Sequence, residues 1–321
     1  MLENQNSRYG AIARALPFTT GKVFFVVHAD DAWAADLANE FPVDRDGVPR
    51  VYATVSGADT DDLAIQAALD ACVAGRNDYV LVLPSTNDYD LTAALTMSKR
   101  GVHLIGLDYL SHKLETGANS ATKIHQTGDY DIITLTGGNC EIAGFYFKNY
   151  NNQGSIVCTG GVADVAHIHH NHFNMNATTT SGVAQVDFSG ASSSFVTIER
   201  NTFATNVSDL TFASLIDISS SCTWARVLKN NFMIGDGCTC TIVIANYSYK
   251  GQTNDNDIFC ASGGGGATST ITNAITIGGG VAAGNRMSIA GTTTQDLVGG
   301  SSTSFVDNRD AGNGGSLAFT N

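Results

Sequence analysis

Alternation dominates the middle of the chain. In "IITLTGG" at 132, "SIVCTGG" at 155, "AQVDFSG" at 184, "SLIDISS" at 214, "CTIVIAN" at 240 and "NAITIGG" at 273, apolar and polar residues take turns and then give way to small ones. Period-two alternation predicts strands with one buried face, and the small residues permit a corner. A second pattern interleaves with the first: "IHHNHF" at 168, "IERNTF" at 198 and "VLKNNF" at 227, with looser copies "IAGFYF" at 142, "TNDNDI" at 253 and "AAGNRM" at 282. Their starting positions advance by 26, 30, 29, 26 and 29 residues. A recurrence in that range marks a solenoid, in which each copy buries its apolar face only against its neighbours.

Each copy also indicates which solenoid. Ile168, Ile198 and Val227 end short alternating strands, an Asn occupies the turn, and Phe173, Phe203 and Phe232 re-enter the interior two residues later. This predicts an all-β chain folded as a single-stranded right-handed parallel β-helix. Two strands and two bends account for most of a coil. Stacked coils lie roughly 4.8 Å apart. Asn171, Asn201, Asn230, Asn256 and Asn285 should therefore form a ladder of hydrogen-bonded amides, and the three Phe rings a stack.

Four stretches follow along the chain. Residues 1–20 read as an extended arm, apolar enough at Ile12, Leu16 and Phe18 to lie on a partner. Residues 21–58 form an α/β subregion: "KVFFVVHA" is a strand, "DDAWAADLANEF" a short helix capped by Asp30 or Asp31, and "PVDRDGVPRVYATV" a turn and a strand. Residues 59–290 are the β-helix. It opens with a helix in "TDDLAIQAALDACVAG", capped by Thr60, carrying Asp61 and Asp62 as cap and dipole partners and Ile65, Leu69 and Cys72 on one face, and plugging the open end. Residues 291–321, rich in Ser, Thr and Gly with isolated Leu297, Phe305 and Phe319, are a carboxy-terminal cap or tail.

Composition narrows the partners. With 17 basic against 30 acidic residues the net charge is -13, so nucleic acid and anionic membrane surfaces repel the chain. No apolar run reaches the roughly 18 residues of a membrane span. The amino terminus "MLENQNSRYGAIARAL" lacks the basic and apolar segments of a signal peptide. Seven cysteines without a framework spacing read as reduced, buried thiols made in a cytoplasm.

Candidate chemistry is sparse. His167 and His169 flank inward Ile168 and point outward, where Thr197 and Glu199 stand one coil later. They are candidate metal ligands, but two imidazoles fall short of the three or four usual for zinc, and the expectation is no metal and no cofactor. Asp187 and Asp217 project from adjacent coils about 5 Å apart at the backbone, near the carboxylate separation of retaining glycosidases. They are the candidate catalytic residues, although flanking Ser189 and Ser219 read as a wet or subunit-facing strand, with a shared cation or a plain polar face as the alternatives. "GGGG" at 263 lacks the rest of a phosphate loop, "DRDG" at 44 lacks the calcium loop's final Glu, and "CTC" at 238 lacks a second thiol pair. Trp33 and Trp224 sit at positions that read as structural.

The segments "TDDLAIQAALDAC", "YVLVLP" and "VHLIGL" resemble the start of the pectate-lyase-like β-helix superfamily of pectin-degrading enzymes and phage tail spikes, over residues 59–290. The block from "RYGAIARALPFTTGKVFFVV" to "RVYATV" resembles the beginning of tailed-phage virion β-helix proteins. The hydrolases' Asn-Thr-Asp, Gly-His-Gly and Arg-Ile-Lys signatures are missing here, and the Asp-Asp pairs at 30 and 61 precede helices. The resemblance therefore implies a non-enzymatic phage virion protein assembled in the host cytoplasm. It decorates or stabilises the capsid as a homotrimer and docks on the shell protein through its arm or end regions. The alternative it leaves open is a tail-spike-like protein that binds or cleaves host surface glycan.

Overall fold

The computed structural model describes residues 21–31, 34–57, 60–107, 122–149, 153–159, 163–175, 184–205, 210–235, 237–260, 269–289, 292–299, 303–310 and 319–320. The arm (1–20), Trp33 and the glycine run at 263 lie outside them. The chain is a parallel β-helix. Three sheets of eleven, nine and nine strands, all parallel, run the length of the described chain, and each coil gives one strand to each sheet. The sequence pattern counts two strands per coil; the structure has three. The Asn turn is short enough to hide a corner, so "HIHHNHFNM" is two strands, His167–His169 and His172–Met175, in different sheets.

Every copy read from the sequence falls in one register. Ile142, Ile168, Ile198, Val227, Thr253 and Ala282 pair in succession, preceded by Leu104 and followed by Phe305. The solenoid thus runs past 290: Thr292–Gly299, Thr303–Val306, Arg309–Asp310 and Phe319–Thr320 continue all three sheets. At the other end, Val23–Val27 and Val51–Ala53 extend the eleven-stranded sheet beyond Asp78–Val82.

The predicted ladder is present and one rung longer. Asn171, Asn201, Asn230, Asn256 and Asn285 are each no more than 2% exposed. Asn308, which the tail-like sequence conceals, is the sixth rung. Each internal rung is fully satisfied. The Oδ1 of Asn230, for instance, accepts from the backbone N–H and the Nδ2 of Asn201, both at 3.0 Å. Its Nδ2 donates to Ile198 O and to Asn256 Oδ1, again at 3.0 Å. The residue before each rung is left-handed, with φ between 50° and 67° at His170, Arg200, Lys229, Asp255, Gly284 and Asp307. That αL residue turns the chain, and the Asn amide covers the backbone groups the turn leaves unpaired. Beside the ladder, Phe147, Phe173, Phe203 and Phe232 stack with centroids 5.2, 4.6 and 4.8 Å apart, all fully buried.

Helix α1 (Ala34–Glu40) covers the outer side of the first strands with Leu37. Helix α2 (Asp61–Ala71) sends Ile65, Ala68 and Leu69 into the solenoid's own core alongside Leu91 and Leu95. Its amino terminus differs from the sequence expectation, because Thr60 makes no side-chain cap. Asp61 and Asp62 are buried and accept instead from the backbone N–H groups of Asp90 and Thr92, tying the helix to the first coil. At the "DRDG" turn Asp44 Oδ1 accepts from the N–H groups of Asp46 and Val48, and both acids pair with Lys22. All seven cysteines are free and buried.

Candidate functional site

Outward residues of the eleven-stranded sheet form columns, because parallel pairing puts equivalent positions one above another. One column runs Tyr79, His103, Glu141, His167, Thr197. The neighbouring outward column contains His169 and Glu199. One coil toward the carboxy terminus His167 and His169 are followed by Thr197 and Glu199; one coil toward the amino terminus stands Glu141, directly paired with His167. One potential ligand atom from each of Glu141, His167 and His169 lies within 4.8 Å of the others.

This cluster is held from all sides. Glu141 Oε1 meets His169 Nε2 at 2.7 Å, and its Oε2 meets His103 Nδ1 at 2.8 Å. His103 reaches Asn77 Oδ1 through Nε2 at 2.8 Å and stacks on Tyr79 with centroids 4.3 Å apart. His169 Nδ1 meets His170 Nδ1 at 2.7 Å, and His167 Nε2 meets Glu199 Oε1 at 3.0 Å. Burial opposes ionisation of Glu141, but hydrogen bonds from His103 and His169 outweigh it and hold the carboxyl well below its ordinary range. Burial, with His169 beside it, pushes the His167 imidazole down. An anionic carboxylate next to a neutral imidazole is a ligand-ready arrangement.

The candidate acids face outward on one of the two nine-stranded sheets, the one that contains Val186–Gly190 and Thr211–Ile218. Asp187 and Asp217 are direct register partners. Asp187 Oδ1 accepts from Ser189 N at 2.7 Å. The wet strand expected from the serines holds for exposed Ser189, but Asp217 is only partly accessible. Burial first, and the Asp187 charge second, raise the Asp217 carboxyl to about 6. A folded-state value above the unfolded one means the group contributes stability that is full below pH ~4 and is lost as pH rises through about 6. Asp217→Asn is expected to remove that loss and raise stability at pH 8 by ~1 kcal/mol, the full shift being discounted for partial solvation. Denaturant unfolding of parent and variant at pH 4 and pH 8 checks this; equal parent stability at both values, together with an unimproved variant, excludes it.

A third outward feature lies at the corner that feeds the eleven-stranded sheet, two residues before the first column. Asn77, Gly101, Asn139, Val165, Phe195, Trp224 and Lys250 occupy this corner in successive coils, all with positive φ. Asn and Gly adopt that conformation at little cost, whereas β-branched and bulky residues do so under strain. Val165, Phe195 and Trp224 are nonetheless 50%, 52% and 42% exposed. Phe195 and Trp224 lie parallel, and the Lys250 ammonium sits 4.8 Å above the indole. Trp224 is therefore a surface residue, contrary to its structural reading from sequence. No family model, curated protein or solved structure matches the chain.

Proposed function

We propose that the chain is a non-enzymatic structural protein of a phage virion, a homotrimeric β-helix that decorates or stabilises the capsid. The corner column carries this reading. Strained backbone at outward apolar residues has a cost that folding alone does not repay, and a contiguous apolar strip on a solenoid is an association surface. Three copies around an axis parallel to the solenoid bring identical strips together. The amino-terminal arm or the end regions then dock on the shell protein, in the virion context that the resemblance of residues 8–55 implies. Trp224→Ala is expected to shift the protein from trimer to monomer at micromolar concentration in light scattering, with its circular dichroism unchanged. Purified particles should carry many copies on the head, and incubation with host polysaccharide should leave its viscosity unchanged.

A second reading, binding or cleavage of surface glycan, is favoured by two specific observations. Parallel aromatic rings with a cation beside them make a stacking platform for sugars, and the Asp217 carboxyl, raised to about 6 and paired in register with Asp187, suits a general acid with a second carboxyl beside it. In that case Trp224→Ala leaves the oligomer intact and weakens polysaccharide binding, oligosaccharide release disappears in Asp217→Asn, and three or six copies sit at the tail.

A further inference from the structure

We propose that Glu141, His167 and His169 bind one divalent transition-metal ion of the zinc class per chain. The three side chains come from two consecutive coils in fixed register, Glu141 directly paired with His167 and His169 two residues on. Rigid strands rather than loops position them, which is the condition for a site that does not have to organise on binding. Their ligand atoms lie within 4.8 Å of one another. A tetrahedral ion with bonds of about 2.0–2.1 Å sets its ligands about 3.3 Å apart. The His169 to Glu141 contact, at 2.7 Å, is already tighter than that edge. Seating the ion therefore takes side-chain rotations of about an ångström that open this contact and draw His167 in, with the strands unmoved.

The surroundings are those of a supported ligand set. Glu141 keeps one oxygen on His103, which is itself held by Asn77 and stacked on Tyr79. His169 has Nδ1 engaged by His170, which leaves Nε2 directed at Glu141 and the ion. Glu199 orients His167 from the next coil. Outer partners of this kind fix ring orientation and ligand basicity in metal centres. Two imidazoles and one carboxylate select zinc, cobalt or nickel over calcium and magnesium, which require oxygen ligands. Three protein ligands leave a fourth position for water or for a group from a partner.

The experiment uses the full chain without a histidine tag, stripped with chelator. Cobalt titration is followed by visible absorption, and zinc is then added in competition. The expected result is one equivalent of cobalt with the intense bands of a low-coordinate site, displaced by zinc. His169→Ala and the near-isosteric Glu141→Gln should each weaken binding at least ten-fold. His172→Ala should leave it unchanged: that histidine belongs to the same sequence run but lies on another sheet, stacked on Tyr146. Circular dichroism melts establish that each variant is folded. Absence of cobalt bands at millimolar ion, or equal affinity in His169→Ala and the parent, overturns the proposal, as does an effect of His172→Ala as large as that of His169→Ala.

Discussion

Asn230→Ala is expected to destabilise the solenoid by about 4 kcal/mol or more, because the side chain serves four buried partners at once. Truncation strands the backbone N–H of Asn201 and one hydrogen of the Asn201 amide, takes the amide donor from the Ile198 carbonyl, and leaves Asn256 Oδ1 with the backbone N–H of residue 230 alone. Each orphaned buried group costs about 1–3 kcal/mol, and relaxation or a trapped water recovers part of the sum. Asn230→Asp separates the two halves of the role. It keeps the accepting oxygen but turns a second acceptor toward Ile198 O and Asn256 Oδ1, so it should fail at neutral pH and recover partly in acid, where a protonated carboxyl donates again. Urea unfolding followed by far-ultraviolet circular dichroism measures both. A loss below ~1 kcal/mol for the alanine variant would mean that the ladder is ornament rather than support.

Phe203→Ala comes next in size, at about 3–5 kcal/mol. Its ring is fully buried between Phe173 and Phe232, nearly parallel to both at 11° and 8°. The alanine leaves a cavity that strands fixed by ladder bonds on either side cannot collapse to fill. Phe203→Leu retains most of the volume and loses mainly the ring-to-ring attraction, so its cost should stay near 1–2 kcal/mol. Because each coil touches only its neighbours, the damage should be local. Hydrogen exchange is expected to show lost protection in the strands around 173, 203 and 232, while the strands packed on α2 keep theirs. Unchanged protection around position 203 would show that the stack contributes little.

How much of this was legible depended on whether a residue's type alone dictates its position. The ladder and the ring stack could be read because an Asn at a turn and a Phe two residues later recur at nearly constant offset, and each has one physical use there. Asn308 escaped because its coil is short, with Phe305 only 23 positions after Ala282. The surrounding Ser, Thr and Gly also look like a tail. The third sheet escaped because a single αL residue followed by Asn bends the chain, and except at Gly284 that residue is His, Arg, Lys or Asp, with no Gly or Pro to announce a corner. Trp224 was misplaced for the opposite reason: turn chemistry assigns positive φ to Gly and Asn, and nothing local in the sequence marks a Trp as holding it. Glu141 was within reach, since it occupies the same alignment position as His167 one coil earlier. The raised Asp217 carboxyl depends on burial, which sequence spacing does not reveal.

The strand boundaries carry one more consequence. From Ala143 onward the strand of the eleven-stranded sheet and the strand that follows it are separated by two residues in every coil, as from His169 to His172, Glu199 to Thr202 and Leu228 to Asn231. After the ring strand the interval varies: Met175 to Val186, Thr205 to Thr211, Ile234 to Thr239. One edge of the prism is thus frozen in length and another is editable. Foreign peptides grafted at the editable edge leave every inward side chain facing inward. A single residue added at the frozen one turns a whole strand inside out.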